Sequence, residues 1–468
     1  MRGKILIMKK IAILGFGLEG KSLLKFLKKS SLYKKADISV LDKKLNKDYL
    51  KNLKKFDVIF RSPGVPYNLP EIQNALKKGV KISSGTELFF EQLRGLKNIK
   101  VIGITGTKGK GTTSTLIYKI LKAASKKVWL AGNIGKPALE ILPKLKKNSI
   151  VILELSSFQL QNLKYSSDIA IVLDIFPDHM DAHKNFREYI DAKLNIAKWQ
   201  SKNDKIFYFN DNKYAKWIAE KSRAKKITVD LSFSNSPSLA STNNASRSGR
   251  EWFHRIKLVI KMPGSHNIKN AVMAATVAKN IGVPDKIILK TIKKFRGLEH
   301  RLEFVRVINK IKFYNDSAST NPQTAAAAIK AFPNKLKTRA LKALSARPST
   351  KRNAFSALVL IVGGKDKNLN FSPLAQALKN SNTKLVVLFG ENKNKIRKTI
   401  SKRGLVIREV ENLKSAVNFA YKTAKSLVAN GYSLNPIIVF SPASASFDMF
   451  KDYKDRGKKF KEIVLKLK

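Results

Sequence analysis

Cysteine is absent from this chain of 468 residues. Disulfide bonds and thiolate metal sites are therefore excluded, and the composition fits a reducing compartment such as the cytoplasm. No apolar run approaches the roughly 20 residues that a membrane-spanning helix needs. The start of the chain is too short and too charged for a signal peptide. We therefore expect a cytoplasmic protein without a membrane span.

Acidic residues are scarce, since 33 Asp and Glu stand against 92 Lys and Arg and leave a formal charge of +59. A nucleic-acid-binding protein concentrates such charge on one patch. Here the lysines are scattered through every segment, which favours a lysine-biased proteome over a nucleic-acid function. A basic protein would still attract anionic substrates. The apolar fraction of 43% is ample for globular folding.

A glycine-rich turn links an apolar strand to a threonine-rich helix at Gly109-Lys110. The segment from Gly103 to Lys110 resembles the G-x-x-x-x-G-K phosphate-binding loop, with five residues instead of four between Gly103 and Gly109. Glycines let the backbone close around a polyphosphate, amides at the helix start donate to its oxygens, and Lys110 adds positive charge. Gly111 stands where the loop usually has Ser or Thr, and Thr112 follows one place later. An incidental glycine turn is the alternative, but the flanking strand and helix favour phosphate binding.

The chain opens with the pattern of a dinucleotide-binding unit. Residues 15–20 read Gly-Phe-Gly-Leu-Glu-Gly after an apolar strand, and Asp42 ends the next strand about twenty positions on. Taken alone, this fingerprint indicates NAD, but it is weak, and the same geometry holds other nucleotide diphosphates. A further strand ends at Arg61-Ser62-Pro63-Gly64, where open α/β sheets bind ligands.

Two later strands end at acidic and histidine-bearing turns. The strand at 150–153 delivers Glu154, and the strand at 169–173 is followed by His179. Alternating buried strands and helices predict a mostly parallel sheet, so both side chains would emerge at the edge that holds the phosphate loop. An acid there can hold Mg²⁺ on phosphates. A solvated strand end and a turn histidine are the alternatives, and the shared edge favours the functional reading.

Lys193 lies within an apolar helix face. Helical spacing places it beside Phe186, Tyr189, Ile190 and Ala197. Snorkelling of the ammonium is the ordinary explanation. A lysine with a lowered pKa, able to react or to be modified, is the alternative. Residue patterns alone favour snorkelling.

The remaining chain contains two insertions and a third folded part. Residues 231–251 are rich in Ser and Asn and predict a flexible surface insertion, and 333–355 predict a floppy basic loop. A polar cluster at 262–270 opens an alanine-rich helix, which suits ligand contact or ordinary capping. Strands are predicted at 303–308, 311–314, 357–362, 384–389 and 437–440.

Together these patterns predict an α/β protein of three domains. We expect a Rossmann-like domain at 1–95, a central P-loop ATPase-type domain with a parallel sheet at 96–298, and a second Rossmann-like domain at 299–468. The candidate turns of the third domain follow its strands at 315–317, 363–367 and 441–446.

The ordered motifs resemble the Mur ligases over nearly the whole chain, and in particular the branch that adds D-glutamate. Single motifs are only suggestive, whereas the ordered set is highly specific. The matching segments are 15–20, 62–64, 103–110, 131–135, 154–160, 177–181, 192–194, 264–270, 297–301, 315–317, 363–367 and 441–448.

The resemblance implies an ATP-dependent, magnesium-requiring ligase of peptidoglycan precursor synthesis. It would join D-glutamate to UDP-N-acetylmuramoyl-L-alanine through an acyl phosphate, and a monomer is expected. The first domain would hold UDP rather than NAD, near Leu18, Glu19, Asp42 and Ser62. The third would bring the amino acid.

The resemblance also implies roles for single residues. The catalytic set would be Lys110, Glu154, His179 and Lys193. Thr112 and Glu154 would hold one Mg²⁺, and His179 with Lys193 a second. The matching lysine of the family is carbamylated. ATP would contact Gly106, Thr107, Lys108, Gly109, Lys110, Gly111, Thr112, Asn267, Asn270, Arg301 and Asp316. The muramoyl group would contact Asn133, and D-glutamate would contact Thr320, Lys367, Ser446 and Phe447.

Three alternatives stay open at this point. A folylpolyglutamate-synthase-type ligase is favoured by Gly111 but opposed by the nucleotide-binding pattern before the phosphate loop. An NAD-dependent oxidoreductase would leave that loop, Glu154 and His179 unexplained. A basic nucleic-acid-binding NTPase is disfavoured by the scattered lysines. Ala318 stands where many Mur ligases have lysine, which leaves one substrate contact in question.

Overall fold

The computed structural model describes residues 10–180, 182–229, 244–332, 356–400, 405–430 and 435–468, with backbone alone at 244–250. The predicted basic loop at 333–355 lies outside these ranges. Within them the chain forms three sheets flanked by helices, which confirms the predicted α/β class. None of the described helices combines the length and the apolarity that crossing a membrane requires.

The first sheet has four parallel strands in the order β2-β1-β3-β4. Side chains of β1 alternate between two cores, since Ile11 and Ile13 join one cluster while Ala12 and Leu14 join another. Its elements are β1 (Lys10–Leu14), α1 (Leu18–Lys29), β2 (Asp37–Leu41), β3 (Val58–Arg61), α2 (Pro70–Lys77), β4 (Lys81–Ser83) and α3 (Gly85–Leu93).

The second sheet has six parallel strands in the order β10-β9-β8-β5-β7-β6. Its central strands are buried on both faces, as continuous apolar runs predict. The strands are β5 (Lys100–Thr105), β6 (Val128–Gly132), β7 (Ile150–Glu154), β8 (Ile169–Val172), β9 (Lys205–Phe209) and β10 (Lys225–Val229). The helices are α4 (Lys110–Ala123), α5 (Ala138–Ile141), α6 (Ser157–Leu160), α7 (Phe186–Leu194), α8 (Lys213–Lys221), α9 (Asn244–Val259), α10 (Ser265–Asn280) and α11 (Asp285–Lys294).

The insertion predicted at 231–251 is wrong in its second half. Residues 230–243 lie outside the described ranges, but α9 already begins at Asn244. Trp252 and Ile256 are buried one turn apart, and α9 packs on β10. The apolar residues that stabilise α9 follow residue 251. The segment 231–251 therefore contains no helical apolar pattern from which the helix could be predicted.

The third sheet has six strands in the order β11-β12-β16-β13-β14-β15, parallel except for the antiparallel edge strand β11. All five strands predicted here are present. The strands are β11 (Glu303–Ile308), β12 (Ile311–Asn315), β13 (Leu358–Gly363), β14 (Thr383–Phe389), β15 (Val406–Glu409) and β16 (Ile437–Phe440). The helices are α12 (Pro322–Lys330), α13 (Ser372–Lys379), α14 (Lys393–Ile400), α15 (Leu413–Ala429) and α16 (Tyr453–Lys466).

The three sheets belong to two compact units. One unit comprises Met1–Val259 and Lys269–Lys293 and contains the first two sheets. The other comprises Ile260–Ile268 and Lys294–Lys468 and contains the third. The domain boundaries expected at residues 95 and 298 fall between sheets and stay a prediction.

Candidate functional site

The carboxyl edge of the first sheet is closed by a glycine turn. Gly15 has φ of +90°, and Ser62 Oγ donates to its carbonyl oxygen at 2.7 Å. The Asp42 carboxylate accepts from the Lys44 amide at 2.8 Å and from the Phe16 amide at 2.6 Å, and these hydrogen bonds lower the pKa of the Asp42 carboxyl. A Cβ at Gly20 would overlap the Gly15 carbonyl, so the fingerprint glycine is required by close packing.

Two of the predicted substrate residues lie at the start of α1. Leu18 is 80% exposed, although it is a large apolar side chain. Glu19 accepts a hydrogen bond from Gln159 Nε2 at 2.6 Å, and burial raises the pKa of the Glu19 carboxyl. The structure thus brings Leu18, Glu19, Asp42 and Ser62 to one edge; their contact with UDP stays a prediction.

The predicted phosphate loop connects β5 to α4. Gly109 caps the helix with φ of +86°, a conformation that favours glycine. Lys110 Nζ folds over the loop and donates to the carbonyls of Gly106 and Thr107, each at 3.0 Å. Thr107 Oγ1 lies 2.9 Å from Tyr189 Oη. The loop is therefore held in shape from α7.

The first turn of α4 carries two threonines directly after Gly111. Thr112 is half-buried in the first turn of α4 and stays the predicted magnesium contact. The next hydroxyl, Thr113 Oγ1, is buried and has no hydrogen-bond partner within the described residues. Asn270 lies against the loop, because a Cβ on Gly109 would overlap its side-chain amide. Lys108 is exposed.

Glu154 is the last residue of β7, which pairs with β5, the strand that leads into the predicted phosphate loop. Glu154 is 5% exposed. Its Oε1 accepts from Asn133 Nδ2 at 3.0 Å, while Oε2 is buried without a partner among the described residues. Asn133 also donates its backbone N–H to the Glu154 carbonyl at 2.9 Å. A buried carboxylate oxygen without a donor is suited to a cation.

Lys193 is buried, with 1% of its surface exposed. Its Nζ donates to Gly106 O at 3.0 Å and lies 3.4 Å from Thr105 Oγ1, so it shares the Gly106 carbonyl with Lys110. Burial, and then the charge of Lys110, lower the pKa of the Lys193 amine well below its ordinary value. Snorkelling, favoured by sequence alone, is wrong, because the amine does not reach solvent.

His179 lies in a turn with φ of +56°, and about half of its side-chain surface is exposed. Its ring centroid is 5.1 Å from that of Phe158 and 6.4 Å from that of Tyr189. The same Tyr189 ring lies 4.5 Å below Lys193 Nζ. His179 and Lys193 therefore flank one aromatic side chain.

Two residues beside this site, Tyr189 and His183, are not among the predicted functional residues. Sequence patterning places Tyr189 on an apolar helix face and assigns it no other role. His183 is buried, with Nε2 3.0 Å from Ser157 Oγ and Nδ1 3.9 Å from Glu188 Oε2. Burial lowers the pKa of the His183 imidazole. Its spacing of four from His179 was the available sequence signal.

The described residues contain no ready-made cluster of three His, Cys, Asp or Glu side chains suited to a metal ion. The predicted metal set differs from such a cluster because it includes a threonine and a lysine. In the same unit, the Glu154 side chain offers an oxygen, Oε2, that has no hydrogen-bond partner among the described residues. The donors present therefore fit a hard cation that takes oxygen ligands, with further ligands supplied by phosphates.

The strand-end turns of the third sheet lie together. Asp316 accepts from Ser441 Oγ at 2.7 Å and from the Leu302 amide at 3.0 Å, and burial raises the pKa of its carboxyl to about 7. The amides of Gly363 and Lys365 donate to carbonyls of the 442–445 turn at 2.9 and 3.0 Å. The turns at 315–317, 363–367 and 441–446 thus form one edge.

The predicted amino-acid contacts differ in exposure. Lys367 Nζ lies 5.4 Å from the Phe447 ring, which is 64% exposed. Ser446 is buried and Thr320 half-buried. Of the predicted ATP contacts in this unit, Arg301 is exposed, and Asn267 Nδ2 donates to Pro263 O at 2.6 Å.

Arg456 is the functional candidate of the third sheet that sequence analysis missed. It is fully buried on α16. Its guanidinium donates to Ser317 Oγ and Ser317 O at 3.1 and 2.9 Å, and to the carbonyls of Ser444 and Ala445 at 3.0 and 3.1 Å. One side chain therefore joins two of the candidate turns.

Comparison with known proteins agrees with this architecture. Residues 104–278 match the Mur ligase middle domain. The chain is 34% identical over 487 residues to the UDP-N-acetylmuramoylalanine--D-glutamate ligase of Acetivibrio thermocellus, covering 97% of this chain and 96% of that protein. It is 34% identical over 489 residues to the enzyme of the same name from Ruminiclostridium cellulolyticum, covering 98% and 97%.

A solved structure extends the similarity to the fold. The UDP-N-acetylmuramate-alanine ligase MurC of Thermotoga maritima aligns with a TM-score of 0.51 and 17% identity, covering 98% of this chain and 99% of that one. At this identity the match shows the fold alone. The full-length relatives go further, and the chain belongs to the family of UDP-N-acetylmuramoylalanine--D-glutamate ligases, within the Mur ligases.

Proposed function

We propose that this protein is an ATP-dependent ligase that joins D-glutamate to UDP-N-acetylmuramoyl-L-alanine in peptidoglycan precursor synthesis. The names of its full-length relatives support these substrates. The observation that carries the chemistry is the convergence of Lys110 and Lys193 on the Gly106 carbonyl. The same unit contains Glu154 Oε2, which is buried and lacks a hydrogen-bond partner in the described part of the chain. The reaction forms a carbon–nitrogen bond between an acid and an amino acid.

The chemistry requires an activated acid, because a carboxylate would have to expel oxide. Its oxygen attacks the γ-phosphorus of ATP, ADP leaves, and an acyl phosphate forms. The D-glutamate amine then attacks the acyl carbon and phosphate leaves. Because negative charge gathers in both steps, cations and N–H donors must be aimed at those oxygens. Lys110 and the amides of the loop would bind the β- and γ-phosphates.

We propose that Thr112 and Glu154 would hold one Mg²⁺, and His179 with carbamylated Lys193 a second. When bound, the ions would neutralise charge on the transferring phosphoryl group. Carbamylation is supported by burial of the Lys193 amine and its lowered pKa, since only a neutral amine adds CO₂. Carbamylated Lys193 would end in an anionic, carboxylate-like group. Such a group can bind a cation, whereas the ammonium of unmodified lysine would repel it.

The remaining site residues receive proposed roles by substrate. Leu18, Glu19, Asp42 and Ser62 would contact UDP, and Asn133 the muramoyl part. Contacts to the adenine nucleotide would come from Gly106, Thr107, Lys108, Gly109, Gly111, Asn267, Asn270, Arg301 and Asp316. D-Glutamate would be positioned by Thr320, Lys367, Ser446 and Phe447, with Lys367 pairing a carboxylate.

A folylpolyglutamate-synthase-type activity is the second candidate, because Gly111 follows the loop lysine. The test measures phosphate release from ATP with D-glutamate and UDP-N-acetylmuramoyl-L-alanine added singly and together. We expect release only when both are present. Release with a folate and L-glutamate instead would favour the second candidate, and release stimulated by nucleic acid alone would overturn both.

A further inference from the structure

Arg61 is a buried cation at the boundary between the first two sheets. It ends β3 and is 2% exposed, and burial lowers the pKa of its guanidinium to about 10, so it stays charged at neutral pH. Its Nη1 donates to Val65 O at 2.7 Å within its own turn, and its Nη2 donates to Phe158 O at 2.8 Å. Both hydrogen bonds go to carbonyls, and the guanidinium carbon also lies 5.5 Å from the centroid of the Tyr67 ring. Burying an arginine without a hydrogen-bonded carboxylate among the described residues is costly, which points to a positional role.

The second of these contacts reaches the turn that follows Glu154. Phe158 belongs to α6, and the neighbouring Gln159 is also held from the first sheet, through Glu19 at 2.6 Å. Arg61 on β3 and Glu19 on α1 thus make hydrogen bonds with two consecutive residues of α6. Since α6 has only four residues, it has little stiffness of its own, and these contacts help to fix its position together with its packing on α7 and the contact of Ser157 Oγ with His183.

The Phe158 ring lies between two histidine rings. It stacks on His183 at 5.2 Å with planes 9° apart, and it meets His179 edge-on at 5.1 Å. The His179 carbonyl accepts from the amides of Ala182 and His183, each at 3.1 Å, which holds the backbone of the turn but not the direction of the imidazole. Three neighbours face the imidazole itself: the Phe158 ring, which is the nearer of two rings, the Tyr189 ring at 6.4 Å, and Asp178 Oδ2 at 3.8 Å from Nε2.

We propose that Arg61 is a positioning residue for His179, acting through the carbonyl and ring of Phe158. The adjacent Ser62 holds the nucleotide turn through Gly15 O, so one short segment of the first sheet orders both the precursor site and the histidine of the phosphoryl site. This inference rests on the proposed function only for the role of His179; the mechanical link through Phe158 stands apart from it.

Histidine-selective NMR tests the link without activity, because the chain has only five histidines. We expect Arg61→Met to shift the ring resonances of His179 and His183 toward their positions in Phe158→Leu, and to leave those of His254, His266 and His300 in place. The control is Arg94→Met, which removes an arginine 4.9 Å from the Tyr165 ring without touching Phe158. Unmoved His179 and His183 resonances in folded Arg61→Met would overturn the proposal.

Turnover provides the second measurement. We expect Arg61→Met to lower kcat about 10- to 100-fold, as small misplacements of a catalytic group do, with little change in the Kd of the precursor measured without ATP. The double variant with Phe158→Leu should be no slower than the slower single variant, since the two act in series. Additive losses, or a precursor Kd weakened as much as kcat, would mean that Arg61 acts independently.

A folding defect would not leave the matter open. If Arg61→Met does not fold, Arg61→Lys keeps the charge but cannot reach both carbonyls with a fixed fork. In Arg61→Lys the ring resonances of His179 and His183 are then expected to shift. If they do not shift, Arg61 does not position His179 through Phe158. If the wild-type protein needs neither substrate for phosphate release, the proposed function fails, while the NMR result still decides whether Arg61 positions His179.

Discussion

The buried lysine on α7 shows how one residue can combine two opposed requirements. Lys193 is surrounded by carbonyl and hydroxyl acceptors and a tyrosine ring, which suit an ammonium, yet burial and Lys110 favour its neutral form. The lowered pKa makes the neutral, nucleophilic form of the amine more available, and only that form can add CO₂. The distinction between packing and function at this position is therefore a question of protonation.

We expect Lys193→Ala to lose activity by about 100-fold, as removal of one charge-stabilising group does, and to regain part of it when acetate is supplied. Acetate can occupy the space of the missing carbamate. Phosphate release at increasing acetate concentration measures the effect. Lys198→Ala, on an exposed neighbouring lysine, is the matched control. Full activity of Lys193→Ala without acetate would exclude a carbamate.

Lys110 is expected to be indispensable to turnover. Lys110→Ala should reduce ATP-dependent phosphate release by at least about 100-fold, because its charge is lost where phosphate charge gathers. Calorimetric titration with an ATP analogue shows whether binding is lost as well. Lys122→Ala, in the last turn of the same helix, provides the comparison. Turnover near the wild-type value would refute the phosphate-loop assignment.

The raised pKa of the buried Asp316 carboxyl predicts that the stability of the protein depends on pH. The Asp316 pKa is about 7 in the folded protein against 3.8 ordinarily, because burial disfavours the carboxylate. Between these values the folded state holds a proton that the unfolded state has released, so the stabilisation is complete below pH 3.8 and is lost as pH rises through about 7. Urea midpoints from pH 4 to 8 should fall less steeply with pH in Asp316→Asn. Parallel slopes would contradict this expectation.

At the scale of elements, the functional turns depend on side chains that arrive from other helices. Arg456 on α16 joins the turns at 317 and 444–445, and Tyr189 on α7 joins the phosphate loop. The strands deliver the turns to one sheet edge, and these side chains set their conformation. Side chains of α7 and α16 therefore contribute to the geometry of turns that follow the strands.

We expect Arg456→Met to destabilise the protein by about 3 kcal/mol, because it leaves several buried carbonyls without a donor. Urea unfolding measures the loss. Lys459→Met serves as the control, since Lys459 lies on the same helix and makes an ion pair with Asp455 near the surface. If both variants unfold at the same midpoint, Arg456 does not stabilise the turns.

At the scale of the whole molecule, the Ser- and Asn-rich insertion is expected to be dispensable. Deleting 235–248 is predicted from sequence to leave activity largely intact, but α9 begins at Asn244, so a deletion of 231–241 is the cleaner variant. Its kcat should match the wild type. Deleting 252–259 instead removes buried Trp252 and Ile256 and should destabilise the protein. Loss of activity in a folded 231–241 deletion would show that the insertion contributes to function.

Much of the fold and of the candidate site could be predicted locally. Apolar strands alternating with helices indicated the sheets, and Gly15 and Gly109 marked two of the turns in which glycine has positive φ. The parallel order then places Lys110 and Glu154 at one edge, because crossover connections leave every carboxyl end on the same side. In contrast, α9 was missed because its apolar residues lie beyond a polar window.

The sequence by itself determined which residues follow each strand, since strand-to-turn order is a local property of apolar patterning and glycine placement. Only the tertiary structure decided the environments that give those residues their chemistry. Groups far apart along the chain determine that Lys193 is buried and that Arg61 reaches Phe158. They also leave Glu154 Oε2 without a hydrogen-bond partner among the residues that the structure describes. Desolvation and hydrogen-bond supply are properties of packing, so no local pattern encodes them.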